Sequence, residues 1–167
     1  MDAYDAIVAK RDTRTYTDEP VVEAQLERVL RAARMAGSAK NQQLVRLVVV
    51  TDPEVRTALT ECGDFTSWID QAPVLVVLTT PVDGGRLFDV GRMAQNLMVC
   101  ATAEGLATCP VTFQHQDRIR GVLGLPADIE AHHAVTLGHP GPTPSDSPLR
   151  APRIPIDDLV HRDRWRR

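Results

Sequence analysis

Two short stretches of this 167-residue chain carry side chains that suit binding of a ligand. The first runs from Lys10 through Arg11 to Arg14 and is rich in cations. An arginine guanidinium is a planar fork that matches phosphate oxygens, so two of them form a compact anion site. A solvated helix end is the alternative, because cations are also favoured there by the helix dipole. Taken alone, these residues favour the helix end.

The second stretch extends from Ser38 to Gln43 and includes Lys40 and Asn41. It lies between an amphipathic helical pattern and an apolar run, which predicts a helix-to-strand junction with Gly37 in the left-handed turn that ends the helix. Carboxamides donate and accept hydrogen bonds, which suits the edge of a flat heterocycle. A solvated polar loop is the alternative interpretation.

Composition limits the classes of function. The net charge of -3 and the apolar fraction of 43% are ordinary for a globular protein and do not indicate a general surface for nucleic acid or anionic membranes. No apolar run reaches transmembrane length, and the first residues do not resemble a signal peptide. The three cysteines lack metal-binding spacing, which predicts reduced thiols in the cytoplasm. His132 and His133 are adjacent in a predicted strand and point to opposite faces, which disfavours a shared metal.

Apolar periodicity predicts alternating helices and strands, and hence an α+β or α/β layer architecture. Short helices are expected after Asp2 and Asp52, and Phe65 and Trp68 are expected to pack inward. Half of the twelve prolines fall within residues 140–155, which predicts an extended arm. The predicted helices span residues 22–33, 87–104, 117–123 and 156–165, the second of them nearly buried, and the predicted strands span residues 45–51, 74–78, 106–112 and 133–137.

Four short motifs, in the same order along nearly the whole chain, resemble those of the nitroreductase family of flavoproteins. The opening pattern of two basic residues, a small polar residue, any residue and arginine is matched by Lys10 to Arg14, with Asp12 where serine is common. The pattern Ser-x-x-Asn-x-Gln is matched by Ser38, Asn41 and Gln43. The remaining matches are Asp89, Gly91, Ala94, Gln95, Asn96 and Leu97 with Gly105-Leu106, then Gly138-His139-Pro140 followed by Arg153, Leu159, Val160, His161 and Trp165.

The resemblance implies an α+β fold in which helices flank a mostly antiparallel central sheet. It also implies one flavin-binding domain over residues 1–167, and a C-terminal arm over residues 138–167 that is exchanged in a homodimer. FMN would lie at the dimer interface, and NAD(P)H would be a transient donor of electrons for a nitroaromatic, quinone or similar electrophilic acceptor. Because the flavin carries the chemistry, no catalytic side chain and no metal are expected.

The same resemblance implies roles for particular residues. Arg11, Arg14 and Arg153 would bind the phosphate, and a loop of the opposite subunit would bind the ring edge. The segment from Cys109 to Thr112 would pass the ring near its reactive nitrogen, with Cys109 as a small buried thiol. The full set of expected cofactor-binding residues is Lys10, Arg11, Asp12, Arg14, Ser38, Asn41, Gln43, Pro110, Val111, Thr112 and Arg153.

Departures from the family pattern leave alternatives open. Leu44-Val45 replaces the usual Pro-Trp, and the region over residues 62–69 is short, as in a minimal-length member with an open pocket. A non-catalytic flavin-binding or storage protein is therefore an alternative. Flavin-destructase chemistry is another, suggested by Arg11-Asp12-x-Arg14, although Asn41 and the missing aromatic argue against it. FMN versus deazaflavin and NADH versus NADPH also stay open, since no Gly-x-Gly-x-x-Gly marks a dinucleotide site.

Overall fold

A four-stranded antiparallel sheet forms the centre of the fold in the computed structural model, which describes residues 1–142 and 153–165. The strand order is β1-β2-β4-β3, and every neighbouring pair is antiparallel. The predicted α+β class and mostly antiparallel sheet are therefore confirmed. The strands are β1 (Arg46–Val50), β2 (Val74–Pro81), β3 (Ala107–Thr112) and β4 (Ile129–Gly138).

Strand β2 is buried on both faces, as its continuous apolar run predicts. Val74 and Val76 pair with Leu137 and Val135 of β4, and these side chains share one face of the sheet. Successive side chains of a strand point to opposite faces, so the next residue, Leu75, belongs to the core on the other face. The sheet thus separates two hydrophobic cores.

Helices cover both faces of the sheet. Those described are α1 (Ala3–Ala9), α2 (Glu23–Arg34), α3 (Pro53–Leu59), α4 (Leu87–Ala103), α5 (Gln116–Leu123) and α6 (Ile156–Leu159). Helices α2 and α4 pack on one face, and α3 and α5 pack on the other. The two predicted N-caps are confirmed. Asp2 caps α1 and accepts from the Asp5 N–H at 2.8 Å, and Asp52 caps α3 and accepts from the Glu54 N–H at 2.8 Å.

Helices α2 and α4 are joined by a polar contact within their apolar interface. The Asn96 side-chain amide donates to the carbonyl of Ala32 at 3.3 Å. The Asn96 side chain therefore satisfies a partly buried carbonyl between the two helices. The first turn of α4 is different: Phe88 is 77% exposed and Leu87 is exposed as well. The prediction of a nearly buried α4 is therefore wrong for one chain by itself.

Several local predictions are corrected by the structure. Helix α2 is capped by Met35, whose backbone is right-handed, and Gly37 does not take the predicted left-handed conformation. That conformation occurs further along the loop, at Lys40, Asn41 and Gln43. Phe65 is exposed rather than packed inward. Strand β4 begins earlier than predicted, at Ile129, and α6 ends earlier, at Leu159. The predicted arm falls partly on residues 143–152, which lie outside the described part of the chain.

Candidate functional site

The cationic segment from Lys10 to Arg14 lies along the outer edge of β3. Helix α1 ends at Ala9, so the segment begins where the helix stops and continues as extended chain. The Thr13 N–H donates to the carbonyl of Thr108 at 2.9 Å, beside an isolated bridge between Asp12 and Thr108. These backbone contacts fix the segment to the sheet, which a merely solvated helix end would not require.

The Tyr16 side chain anchors the far end of this segment. Its hydroxyl donates to the carbonyl of Thr13 at 2.6 Å and lies 2.5 Å from Thr136 Oγ1 in β4. Burial raises the pKa of Tyr16 far above its ordinary value, so the phenol stays protonated. The backbone next to Arg14 is therefore held from both sides.

The three cations of the segment differ in their partners. Lys10 forms an ion pair with Asp12, whereas Arg11 donates to the carbonyls of Val8 at 2.6 Å and Lys10 at 2.8 Å. The guanidinium of Arg14 lies 4.9 Å above the centre of the Trp68 ring. Within residues 1–142 and 153–165, neither Arg11 nor Arg14 pairs with a carboxylate. Two exposed guanidinium groups are thus available to an anion.

The neighbouring residues of β3 alternate between solvent and core. Pro110 and Thr112 are exposed, whereas Val111 is buried in the core beside Phe113 and Ile119. The side chain of Val111 therefore faces away from the exposed surface, so any contact between Val111 and a ligand there is limited to its backbone. Burial raises the pKa of the Cys109 thiol, and a hydrogen bond from Arg14 opposes this. Cys109 is consequently a buried neutral thiol.

The loop from Ser38 to Gln43 lies near the start of α4. Lys40, Asn41 and Gln43 have φ angles of 53°, 54° and 51°, which is left-handed backbone at three residues other than glycine. The Gln43 N–H donates to Ser38 Oγ at 2.9 Å. The Ala39 N–H donates to Oδ2 of the buried Asp89 at 3.3 Å. Ser38 and Asp89 therefore stabilise the loop conformation, so one role of the Ser38 hydroxyl is to bind the backbone of its own loop.

A cleft of about 210 Å³ opens beside this loop. Arg34 and Arg46 contribute to its lining, and the Arg46 guanidinium also donates to the carbonyls of Gln43 and Val45. The cleft is smaller than typical ligand pockets, which hold roughly 300–1,000 Å³, so one chain encloses only part of a large ligand. The full lining is Arg34, Ala36, Gly37, Ser38, Gln43, Leu44, Val45, Arg46, Asp89 and Met93.

Sequence reasoning did not identify Arg34 and Arg46 as residues of the site. They fall at the last position of α2 and the first of β1, flanking the predicted loop, and that flanking position is the signal that could have found them. Gly37 also has a role other than the expected turn. A Cβ at this position would clash with the Arg92 guanidinium, so the absence of a side chain leaves room for that arginine.

The predicted site residues therefore form two groups. Those from Lys10 to Arg14 lie with Pro110 to Thr112 at the β3 edge, and those from Ser38 to Gln43 lie near α4. Arg153 is exposed and precedes α6. The chemistry of the groups fits FMN, because exposed guanidinium groups suit its phosphate and carboxamides suit its ring edge.

The two adjacent histidines of β4 have separate partners. His132 Nε2 lies 3.0 Å from Glu130, and its Nδ1 accepts from Gln116 at 3.2 Å. His133 Nδ1 lies 3.5 Å from Thr112 Oγ1, and burial lowers the pKa of His133. In the described part of the chain, no three His, Cys, Asp or Glu side chains come together as a metal site.

Comparison with known proteins identifies the class of this fold and site. The sequence profile of the nitroreductase family matches residues 7–62 and 65–139, and the chain belongs to this family. A Bacillus subtilis protein named FMN reductase (NAD(P)H) is 25% identical over 180 residues, covering 93% of this chain and 71% of the relative. The NADPH-flavin oxidoreductase of Vibrio harveyi is 26% identical over 180 residues, covering 96% and 73%.

A solved structure gives the same result. The fold matches a nitroreductase family protein from Clostridium difficile with a TM-score of 0.85 and 26% identity, covering 99% of this chain and all of that one. The expected nitroreductase-like fold is thereby confirmed. None of the helices within residues 1–142 and 153–165 is long and apolar enough to span a membrane.

Proposed function

We propose that the chain binds FMN through both groups of site residues and passes electrons from NAD(P)H to a nitroaromatic, quinone or similar electrophilic acceptor. Family membership and the names of the relatives make it an FMN-dependent NAD(P)H oxidoreductase. The observation that carries the binding proposal is the pair of exposed, carboxylate-free guanidinium groups at a segment fixed to β3. Bound FMN supplies the hydride chemistry, and the residues of the chain bind and orient it.

In this proposal the β3 edge binds the phosphate end of the cofactor. Arg11 and Arg14 donate charge-assisted hydrogen bonds to the phosphate, and Arg153 joins them from the arm. Lys10 and Asp12 set the local charge through their ion pair. Pro110 and Thr112 present exposed side chains toward the ring, and Val111 contributes its backbone. Asn41 and Gln43 bind the ring edge, with Ser38 supporting Gln43.

A homodimer would complete each site. The described chain leaves large apolar side chains exposed on α1, on the first turn of α4 and around α6, and burial of exposed apolar side chains favours association. We propose one flavin-binding domain over residues 1–167. The predicted arm over residues 138–167 is corrected at its start, because residues 138–142 pair with their own chain, and we propose that α6 packs on the partner. The exposed residues include Tyr4, Ile7, Val8, Leu87, Phe88, Ile154, Ile156, Leu159, Val160 and Trp165.

A cytoplasmic location is part of the proposal. Cys62, Cys100 and Cys109 are all unpaired, and burial raises the pKa of each thiol. Thiols that remain reduced suit a reducing compartment, where NAD(P)H is also present.

The test is a steady-state assay of flavin-loaded protein with NADH and NADPH as donors and with a quinone and a nitroaromatic as acceptors. We expect turnover with at least one donor and one acceptor, and a yellow flavin absorption spectrum for the purified protein. Flavin binding without turnover would instead support a storage protein. Formation of a benzimidazole from reduced FMN and oxygen would support flavin destruction. Either result would overturn the proposed activity.

A further inference from the structure

Trp68 lies against Arg14, an exposed cation of the proposed phosphate site. The Arg14 guanidinium is 4.9 Å from the centre of the indole ring, a distance at which the ring quadrupole attracts a cation. Arg14 has no carboxylate partner within the described chain, so its charged end is restrained by the indole face together with the hydrogen bond to Cys109. We propose that Trp68 is a positioning residue that holds Arg14 ready for the FMN phosphate; this inference rests on the proposed function.

The indole ring is itself held in place. Its Nε1 donates to the carbonyl of Phe65 at 2.9 Å, and the ring packs against the core on the α3 and α5 face of the sheet. The next residue, Ile69, is fully buried. The ring is therefore a fixed surface rather than a mobile side chain, which is what positioning requires.

The loop that carries Trp68 is also anchored on either side of the ring. The buried Thr66 hydroxyl lies 2.6 Å from the carbonyl of Thr60 and 2.8 Å from that of Gly63. Beyond the ring, the Arg56 guanidinium donates to the carbonyl of Asp70 at 3.0 Å and to that of Ala72. Because α3 supplies Arg56, the loop is tied to a helix of the fold.

Restraint of Arg14 matters because arginine has a long, flexible side chain. Ordering such a side chain at the moment of binding reduces affinity, and a contact that orders it beforehand removes part of that penalty. An exposed contact between a cation and an aromatic ring is modest, so its loss should weaken FMN binding about two- to fivefold. The effect should require the phosphate, since Arg14 would act on that group and not on the isoalloxazine ring.

The experiment measures FMN and riboflavin affinity by calorimetry for full-length Trp68→Leu, Trp68→Phe and the control Phe65→Leu. Phe65 is the neighbouring exposed aromatic residue, and its backbone carbonyl is retained in the variant. We expect Trp68→Leu to weaken FMN binding about two- to fivefold, Trp68→Phe to restore most of the affinity, and Phe65→Leu to bind normally. Riboflavin, which lacks the phosphate, should bind all variants alike.

A double-mutant cycle with Arg14→Ala separates positioning from a general structural effect. In the Arg14→Ala background, Trp68→Leu should leave FMN affinity unchanged. A loss that persists in that background, or an equal loss for riboflavin, would show that Trp68 does not act through Arg14. If Trp68→Leu fails to fold in a thermal melt, the comparison of Trp68→Phe with wild type in both backgrounds decides the question by the same criteria. If Arg14→Ala itself binds FMN normally, the phosphate site is misplaced, which is a failure of the proposed function rather than of the positioning role alone.

Discussion

The segment from Lys10 to Arg14 and the loop from Ser38 to Gln43 are held by different kinds of contact. The first is fixed by backbone hydrogen bonding to Thr108 in the buried sheet and by the side chain of Tyr16. The second is held by side chains, from Ser38 to the Gln43 N–H and from Asp89 to the Ala39 N–H.

This difference shows where the site is stable and where it is strained. Left-handed backbone in a residue other than glycine is unfavourable by roughly 1–2 kcal/mol, and the loop has three such residues. Strain of this kind persists where surrounding contacts enforce it, and it often marks functional sites. We infer that the proposed phosphate half of the site is set by the fold, whereas the proposed ring-edge half is maintained against a local conformational preference.

The largest expected effect is the loss of the arm. A chain that ends at Pro142 keeps the pairing of Gly141 with Thr15 but lacks Arg153 and the exposed apolar residues around α6. We expect light scattering to show monomer and absorbance to show no retained flavin, because an obligate interface commonly buries more than about 2,000 Å². Arg153→Ala should stay dimeric and bind FMN more weakly. A truncated chain that remains dimeric and yellow would mean that the arm is misplaced.

The second-largest expected effect is the removal of Arg14 from the segment that is anchored to β3. Arg14→Ala should weaken FMN binding by roughly 1.5–3 kcal/mol, because a charge-assisted hydrogen bond to a dianion is lost. Arg31→Ala is the matched control, since Arg31 is an exposed arginine of α2 that pairs with Glu27. Titration of both variants with FMN measures the effect. Equal affinities for the two variants would contradict the placement of the phosphate.

Most of the fold follows from the sequence, because its elements are set by local patterns. The capping residues Asp2 and Asp52 and the apolar strand β2 are local signals, and each was predicted. The motif that contains Asp12 and Arg14 was also located, but its pairing with Thr108 was not. This backbone hydrogen bond joins residues almost a hundred positions apart, and no side-chain pattern at either residue predicts it.

In the loop from Ser38 to Gln43, by contrast, a prediction from a local pattern is wrong. The expectation of a left-handed Gly37 follows the usual conformational preference of glycine, yet Lys40, Asn41 and Gln43 take that backbone instead. The contacts that enforce it come from Ser38 and from Asp89, which lies in a distant helix. A local rule could not anticipate this outcome, since tertiary contacts override it. The exposed Phe88 is a second example, because the apolar pattern of a helix does not indicate whether its own chain or a partner chain covers the apolar side chains.

Glycine substitutions in the loop test the strain directly. Lys40→Gly and Gln43→Gly should each raise the free energy of unfolding by up to about 1 kcal/mol, because glycine adopts positive φ without steric penalty. Their effects on FMN should differ: Gln43→Gly loses a carboxamide and should bind more weakly by roughly 0.5–1.5 kcal/mol, whereas Lys40→Gly should bind normally. Chemical denaturation and FMN titration give the two quantities. Destabilisation of both variants would show that the left-handed backbone is not strained.

The smallest expected effect concerns the pH dependence of stability at β4. Burial lowers the pKa of His133 in the folded chain, with the nearby His132 acting in the same direction and the Val111 backbone opposing them. The unfolded chain, with a histidine pKa of about 6.5, therefore binds more protons than the folded chain in the range just below that value. Stability should consequently fall as the pH drops below about 6.5 and recover as it rises.

His133→Gln cannot titrate, so its free energy of unfolding should change less between about pH 7.5 and pH 5.5 than that of wild type. Denaturant unfolding of the flavin-free protein at both pH values measures this difference, and identical changes in the two proteins would show that His133 does not contribute.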